Sequence, residues 1–208
     1  MDLLNFDHDY RARMGWRTLA GIDEAGRGPW AGPVVAAAVI LPPECTLPTL
    51  NDSKKLSPRQ RSYLFDTITA CAVSIGIGII PSEMIDMINI RVATHRAMRQ
   101  ALEQLPVPAD GVIIDGLPVE GLGRVHNALI KGDGISAAIA AASIIAKVTR
   151  DRMMDEYAVC YPNYGFNRHK GYGTAEHQQA LKRFGPCPIH RMSFRPVAEW
   201  KQASKVAS

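Results

Sequence analysis

Two adjacent carboxylates, Asp23 and Glu24, follow an uncharged, β-prone run at residues 18–22 and precede the glycine-rich segment Gly26-Arg27-Gly28. Carboxylates beside a buried strand are costly unless they are paired or bind a metal ion. Neighbouring side chains on a strand point to opposite faces, so both acids can share one ion only if the strand ends or turns here. The glycines let backbone N–H groups approach a ligand, and Arg27 offers a planar donor fork for phosphate or sugar oxygens. The segment fits a metal site beside a phosphate site, and it fits a solvated strand end with an ordinary turn equally well.

Two further acids lie at the ends of predicted elements. Asp115 follows a short apolar strand predicted at 111–114, and Asp133 lies in the turn before an alanine-rich helix predicted at 136–157. Oxygen ligands without a His–Cys cluster favour Mg²⁺ or Mn²⁺ over zinc, and such ions keep waters that can attack phosphate. Two ions about 3.5 to 4 Å apart would activate the water and stabilise the leaving oxygen. Taken singly, each acid also fits a turn or a helix N-terminus, where negative charge is favoured.

The acids must be positioned by the strands and helices around them. The order of predicted strands and helices along the chain predicts an α/β domain with a mixed sheet. Ser57, Pro58 and Gln60 indicate a helix start with a capping box, and a bend is predicted near Asn89. The predicted elements are strands at 18–22, 34–41, 72–80, 111–114 and 125–130, and helices at 57–70, 81–105, 136–157 and 174–184. A glycine- and aromatic-rich loop is predicted at 161–173.

The 208 residues are enough for one domain, 1–208, with a catalytic core at about 16–158 and a basic helical extension at about 159–208. Residues 161–208 hold eight Lys or Arg and two acids, a balance that favours a polyanionic partner. The four cysteines form no C-x-x-C pair, so a reducing cytoplasm is expected. No signal peptide or membrane span is predicted, and we expect a monomer.

Several basic residues are candidate phosphate contacts without an individual argument: Lys54, Lys55, Lys147, Arg150 and Arg152. For His169 and His190 the sequence leaves two interpretations open, contact with phosphate or simple packing. No histidine has zinc-ligand spacing.

The chain resembles the type 2 ribonucleases H, and specifically the bacterial ribonuclease HII family. The resemblance runs nearly end to end through GIDEAGRGPWAGPVVAAAVI at 21–40, NDSKKLSPRQR at 51–61, DG at 115–116, KGD at 131–133, IAAASIIAKVTRDR at 139–152, YPNYGF at 161–166, HKGYGT at 169–174 and GPCPIHRMSF at 185–194. So many segments in one order make an accidental match very improbable.

The resemblance implies a ribonuclease H-like fold and hydrolysis of RNA within RNA–DNA hybrids, including single ribonucleotides embedded in duplex DNA. It implies 3′-hydroxyl and 5′-phosphate products, dependence on Mn²⁺ or Mg²⁺, and a part in ribonucleotide excision repair. The four implied metal ligands are Asp23, Glu24, Asp115 and Asp133. It assigns Gly26, Arg27 and Gly28 to recognition of the ribose 2′-hydroxyl, the group that distinguishes RNA from DNA. Tyr172 is the implied tyrosine that stacks on the neighbouring deoxyribose.

Three alternatives stay open at this point. The sister family, ribonuclease HIII, carries an additional N-terminal domain, and only about 17 residues precede the first predicted strand here. A non-catalytic hybrid-binding module would use the basic tail and would not need four spaced acids. Another nuclease of the same superfold would share the acids, but not the Gly-Arg-Gly segment with Tyr172.

Overall fold

A sheet flanked by helices forms the body of the molecule, as the sequence predicted. The computed structural model describes residues 3–45, 47, 50 and 56–206, with side chains as far as residue 200. The elements are α1 Leu3–Met14, β1 Leu19–Ala25, β2 Val34–Ile40, α2 Pro58–Cys71, β3 Ser74–Ile80, α3 Ser82–Ile88, α4 Ile90–Glu103, β4 Gly111–Asp115, β5 His126–Leu129, a 3₁₀ turn Gly132–Gly134, α5 Ala137–Cys160, α6 Phe166–His169, α7 Ala175–Phe184 and α8 Arg195–Val206. Within these ranges, no helix combines the length and apolar character needed to cross a bilayer.

The sheet is mixed, which confirms the predicted fold class. Its strand order is β3-β2-β1-β4-β5. Strand β2 runs antiparallel to β1 and β3, whereas β4 runs parallel to β1 and β5. Because β1 and β4 are parallel neighbours, their carboxyl ends meet at the same edge of the sheet. The two strand-end acid sites are thereby brought together.

Both faces of the sheet are buried. Ala20 and Ile22 of β1 lie in the hydrophobic cluster beneath α4, while Val35 and Ala37 of β2 lie in the cluster beneath α5. Every residue of β2 is buried, which explains why its sequence is continuously apolar rather than alternating. At Gly21 a Cβ atom would collide with the backbone of α5, so α5 lies unusually close to β1.

Two local sequence signals are confirmed. The Ser57 hydroxyl accepts from the Gln60 N–H at 3.3 Å, and the Gln60 side chain accepts from the Ser57 N–H at 2.9 Å. Asn89 has a φ of 64° and separates α3 from α4. Its side chain accepts from the N–H groups of Arg91 and Val92, so one residue both breaks the first helix and caps the second.

The prediction that the first strand ends at residue 22 is wrong. Strand β1 continues to Ala25 because its pairing with β2 extends past the acids, with Asp23 opposite Ala37 and Glu24 opposite Ala36. Helix α1 was not predicted, because its apolar pattern is weak. It is held in place by Asp7, whose Oδ2 accepts from the Ala138 N–H at 2.8 Å.

The segment that follows α5 packs onto the same body. Ala31, Met154, Phe166 and Ile189 share one buried hydrophobic cluster, and Ala31 forms an isolated β-bridge with His190. Lys54 and Lys55, two of the candidate phosphate contacts, lie outside the described residues.

Candidate functional site

Three of the predicted acids meet at the carboxyl ends of the central strands. Asp23 lies near the end of β1, Asp115 ends β4, and Asp133 lies in the 3₁₀ turn before α5. One carboxylate oxygen from each of these residues lies within 4.8 Å of the others. We call these three residues the acid cluster. Its members are far apart in sequence, and parallel pairing of the two strands brings them together.

Backbone N–H groups orient two of these carboxylates. Asp23 Oδ1 accepts from the Glu24 N–H at 2.7 Å, and Asp115 Oδ1 accepts from the Gly132 N–H at 2.7 Å. The second bond ties β4 directly to the turn that carries Asp133. Lys131, with a φ of 58°, adopts the left-handed conformation that starts this turn. The geometry of the acid cluster is therefore fixed by the backbone.

The acid cluster is electrostatically unfavourable on its own. Burial raises the pKa of Asp23 well above its usual value, and the neighbouring carboxylates of Glu24 and Asp115 raise it further. Hydrogen bonds from the Glu24 N–H and the Ser143 side chain oppose this shift. Clustered carboxylate oxygens are the donor set that Mg²⁺ and Mn²⁺ prefer, and a divalent cation would neutralise their repulsion. The residues present therefore fit a divalent metal.

Glu24 is not a member of the acid cluster. Since β1 continues past it, its side chain lies on the α4 face of the sheet, whereas Asp23 lies on the α5 face. Glu24 Oε1 lies 3.1 Å from Arg27 Nη1. It also lines a second cavity of about 240 Å³, together with Asp115 and His95. Glu24 and Asp23 therefore flank Asp115 from opposite faces.

The predicted substrate residues adjoin the acids in one cavity of about 230 Å³. The predicted site residues that line it are Asp23, Glu24, Gly26, Arg27, Gly28, Asp115 and Tyr172. Asp133 is not in this lining and takes part through the acid cluster. The structure thus brings together residues that the sequence places in four separate segments.

Tyr172 lies beside the segment Gly26-Arg27-Gly28, which we call the GRG loop. Tyr172 is 45% exposed, and its Cε1 would lie 3.7 Å from a Cβ atom built at Gly28. The Tyr172 N–H donates to the carbonyl of His169 at 2.9 Å, and this bond stabilises the loop that carries the tyrosine. An exposed ring next to glycine backbone is a suitable surface for stacking on a nucleotide.

Three residues of α5 also line the cavity; the sequence named Lys147 and Arg150 only as candidate phosphate contacts and did not select Ser143. Ser143 hydrogen-bonds the Asp23 carboxyl, and Lys147 pairs with Asp151 at 2.7 Å. Arg150, a candidate phosphate contact, is only 1% exposed and donates to backbone carbonyls. Direct phosphate binding by Arg150 is therefore excluded by its burial. The spacing of Ser143, Lys147 and Arg150 at three to four residues, which places them on one face of the helix, is the sequence signal that could have identified them.

The histidines of the carboxyl-terminal segment pack in the interior and do not meet phosphate. His177 Nε2 lies 3.0 Å from His190 Nε2, and the His169 ring stacks on His177. Burial lowers the pKa of His177 and of His190 to about 4, so both are neutral near pH 7. His177 Nδ1 lies 3.0 Å from the Tyr172 carbonyl oxygen, so these rings support the tyrosine.

A second buried arginine, Arg191, holds the GRG loop from behind. Its guanidinium donates to the carbonyls of Gly26 and Arg27. Nothing in the sequence singles it out, because an arginine in a basic tail is ordinarily exposed. Its place in the site depends on contacts across more than 160 sequence positions.

Comparisons with known proteins agree with this arrangement. The family model for ribonuclease HII matches residues 20–197. The ribonuclease HII of Geobacter sulfurreducens is 53% identical over 209 residues, covering 96% of this chain and 96% of the relative. That of Chloroflexus aurantiacus is 50% identical over 201 residues, covering 94% of each chain.

Solved structures share the fold. The ribonuclease H2 of Pyrococcus horikoshii has a TM-score of 0.77 at 24% identity, covering 90% of this chain and 99% of that one. The PCNA:RNase HII complex of Archaeoglobus fulgidus gives a TM-score of 0.71 at 26% identity, covering 86% and 95%. A Bst-RNase HIII structure in complex with Mn²⁺ gives 0.68 at 17% identity, covering 91% and 70%.

Proposed function

The chain belongs to the ribonuclease HII family and is a metal-dependent endoribonuclease of RNA–DNA hybrids, and we propose that it also cuts at single ribonucleotides embedded in duplex DNA. The cut falls on the 5′ side of the ribonucleotide and leaves 3′-hydroxyl and 5′-phosphate ends. One observation carries this proposal. Asp23 and Asp115 of the acid cluster line one cavity together with the GRG loop and Tyr172, so a bond beside a recognised ribose would lie next to the acids.

We propose that Asp23, Asp115 and Asp133 hold a divalent cation, Mg²⁺ or Mn²⁺. When bound, such a cation supplies an activated water and stabilises negative charge on the reacting phosphate. Glu24 would complete the ligand set from the opposite face, since it shares a cavity lining with Asp115. Ser143 keeps the Asp23 carboxyl oriented through its hydrogen bond.

Recognition of the ribose is proposed for the GRG loop. A 2′-hydroxyl can both donate and accept a hydrogen bond, and only RNA carries it. Glycine backbone at 26 and 28 leaves room for close approach of a sugar. Tyr172, exposed beside Gly28, would stack on the adjacent deoxyribose and so favour a junction from RNA to DNA.

Cleavage of a defined duplex tests this proposal. A duplex with one central ribonucleotide is incubated with Mg²⁺ or Mn²⁺, beside an all-DNA duplex and a continuous hybrid of the same sequence. We expect a nick on the 5′ side of the ribonucleotide, a 3′ end that a polymerase extends, and no cut in the all-DNA duplex. Cleavage of the continuous hybrid alone would contradict the junction proposal while leaving the enzyme class intact.

We further propose that the enzyme acts as a monomer in the cytoplasm and initiates ribonucleotide excision repair. The four cysteines are free, which suits a reducing compartment. Sedimentation of the purified protein tests the first point. Ribonucleotide content of genomic DNA in a deletion strain tests the last, and an unchanged content would contradict the repair role.

A further inference from the structure

Arg191 is fully buried, and its guanidinium hydrogen-bonds only to backbone carbonyls. It donates from Nε to Gly32 at 2.9 Å, from Nη1 to Arg27 at 3.0 Å, and from Nη2 to Gly26 at 2.6 Å and Pro33 at 3.1 Å. Burial lowers the pKa of Arg191 to about 9, so it remains charged at neutral pH. A buried cation with no ion pair among the described residues is expensive to keep. Its four carbonyl partners all lie in the segment that begins with the GRG loop.

These bonds set the direction of two peptide units. In a planar trans peptide, the C=O and the N–H point in opposite directions. The Gly26 carbonyl belongs to the same peptide unit as the Arg27 N–H, and the Arg27 carbonyl to the same unit as the Gly28 N–H. Both carbonyls point at Arg191, so both N–H groups point away from it, to the side where the GRG loop lines the cavity. Within the part of the chain that the structure describes, neither N–H donates to a protein acceptor.

We propose that Arg191 is a positioning residue for ribose recognition. By fixing the Gly26 and Arg27 carbonyls, it presents the N–H groups of Arg27 and Gly28 to the 2′-oxygen of the ribonucleotide. Successive N–H groups that converge on one point form a concave site for an electron-rich oxygen. This inference rests on the function proposed above for the GRG loop, and it adds the residue that sets the orientation of that loop.

Tyr164 provides a control for the loss of a buried hydrogen bond away from the GRG loop. Its hydroxyl donates to the carbonyl of Gly185 at 2.6 Å, and the residue is buried. Tyr164 is not among the residues that line the cavity beside the GRG loop. Phenylalanine at 164 keeps the ring and removes this bond, so both variants should lose stability. Only a lysine at 191 should release the two peptide units.

The experiment measures binding without divalent cation, so that no cleavage occurs. Affinities of the wild type, Arg191→Lys and Tyr164→Phe are measured for a duplex with one ribonucleotide and for an all-DNA duplex of the same sequence. The ratio of the two affinities reports recognition of the 2′-hydroxyl, because phosphates are present in both duplexes. We expect the ratio to fall about tenfold in Arg191→Lys, the effect of weakening two hydrogen bonds, and to be retained in Tyr164→Phe.

A second measurement uses the wild type and does not depend on whether a variant folds. The amide ¹H–¹⁵N signals of Arg27 and Gly28 are followed by NMR during titration with each duplex. We expect both signals to shift further with the ribonucleotide duplex than with the all-DNA duplex. Equal shifts would overturn the proposal, because the N–H groups would then contact phosphate or nothing.

The remaining outcomes separate the two levels of inference. A ratio that Arg191→Lys retains, or that Tyr164→Phe loses to the same extent, would make Arg191 merely structural. A wild type that binds both duplexes equally well would instead overturn the function proposed for the GRG loop itself.

Discussion

Replacing Asp23 by asparagine should stabilise the protein without divalent cation while abolishing its cleavage activity. Asparagine preserves the shape of the side chain and the oxygen that accepts from the Glu24 N–H. It removes a buried negative charge whose pKa is raised by burial, by Glu24 and by Asp115. A carboxylate with a raised pKa destabilises the folded state once the pH exceeds the pKa of the unfolded chain. At neutral pH the substitution therefore removes an unfavourable contribution to the free energy of folding.

The size of this effect follows from the acid cluster. Its carboxylate oxygens lie within 4.8 Å of one another, so an ionised pair repels by about 3.5 kcal/mol at an effective dielectric constant of about 20. Solvent penetration and local relaxation weaken part of this repulsion, so the expected gain in unfolding free energy is about 2 kcal/mol. For a chain of this length, such a gain raises the Tm by about 4 to 8 °C.

Thermal unfolding with a chelator, and then with Mg²⁺ or Mn²⁺, provides the assay. Cation binding should stabilise the wild type by about 2.7 kcal/mol at a concentration of 100 Kd, and should stabilise Asp23→Asn much less. With cation present, the difference in Tm between Asp23→Asn and the wild type should therefore shrink or change sign. As a control, Asp66→Asn removes an exposed carboxylate that lies 3.7 Å from Arg152 and should change little in either condition. An Asp23→Asn protein that is less stable than the wild type in chelator would refute the electrostatic reasoning.

Three other outcomes are expected. Tyr172→Ala should lower kcat/KM for an embedded ribonucleotide about tenfold more than for a continuous hybrid, because stacking on the exposed ring is lost. The Tm should change little. Equal losses for both substrates would mean that the ring does not recognise the junction. Gly21→Ala should cost about 3 kcal/mol in chemical denaturation, since its Cβ would collide with the α5 backbone. Gly134→Ala, where a Cβ meets nothing within 4 Å, is the control, and a similar loss there would contradict the steric argument. The free energy of unfolding should fall as the pH drops from about 6.5 to 4. In the folded chain His177 and His190 have pKa values of about 4, whereas in the unfolded chain they would bind protons near pH 6.5. His190→Gln should flatten this dependence, and an unchanged slope would exclude that histidine as its source.

Local signals in the sequence were sufficient for most elements. The capping box at Ser57 and Gln60 and the break at Asn89 depend on residues within three positions of one another, and both are confirmed. The mixed α/β fold also follows from the order of apolar runs. The end of β1 was misplaced because Glu24 pairs with Ala36, a residue of β2. The local sequence around Glu24 does not indicate this pairing.

The sequence by itself determined which side chains are available for chemistry: carboxylates at strand ends, a glycine-flanked arginine and a loop tyrosine. Only the tertiary structure decided how they group. The extension of β1 puts Glu24 on the opposite face from Asp23, because side chains alternate along a strand. Arg150, a candidate phosphate contact, and Arg191, which the sequence did not single out, are both buried and support backbone carbonyls. Such roles depend on contacts between residues more than 100 positions apart, which are formed only when the helices and the sheet pack together.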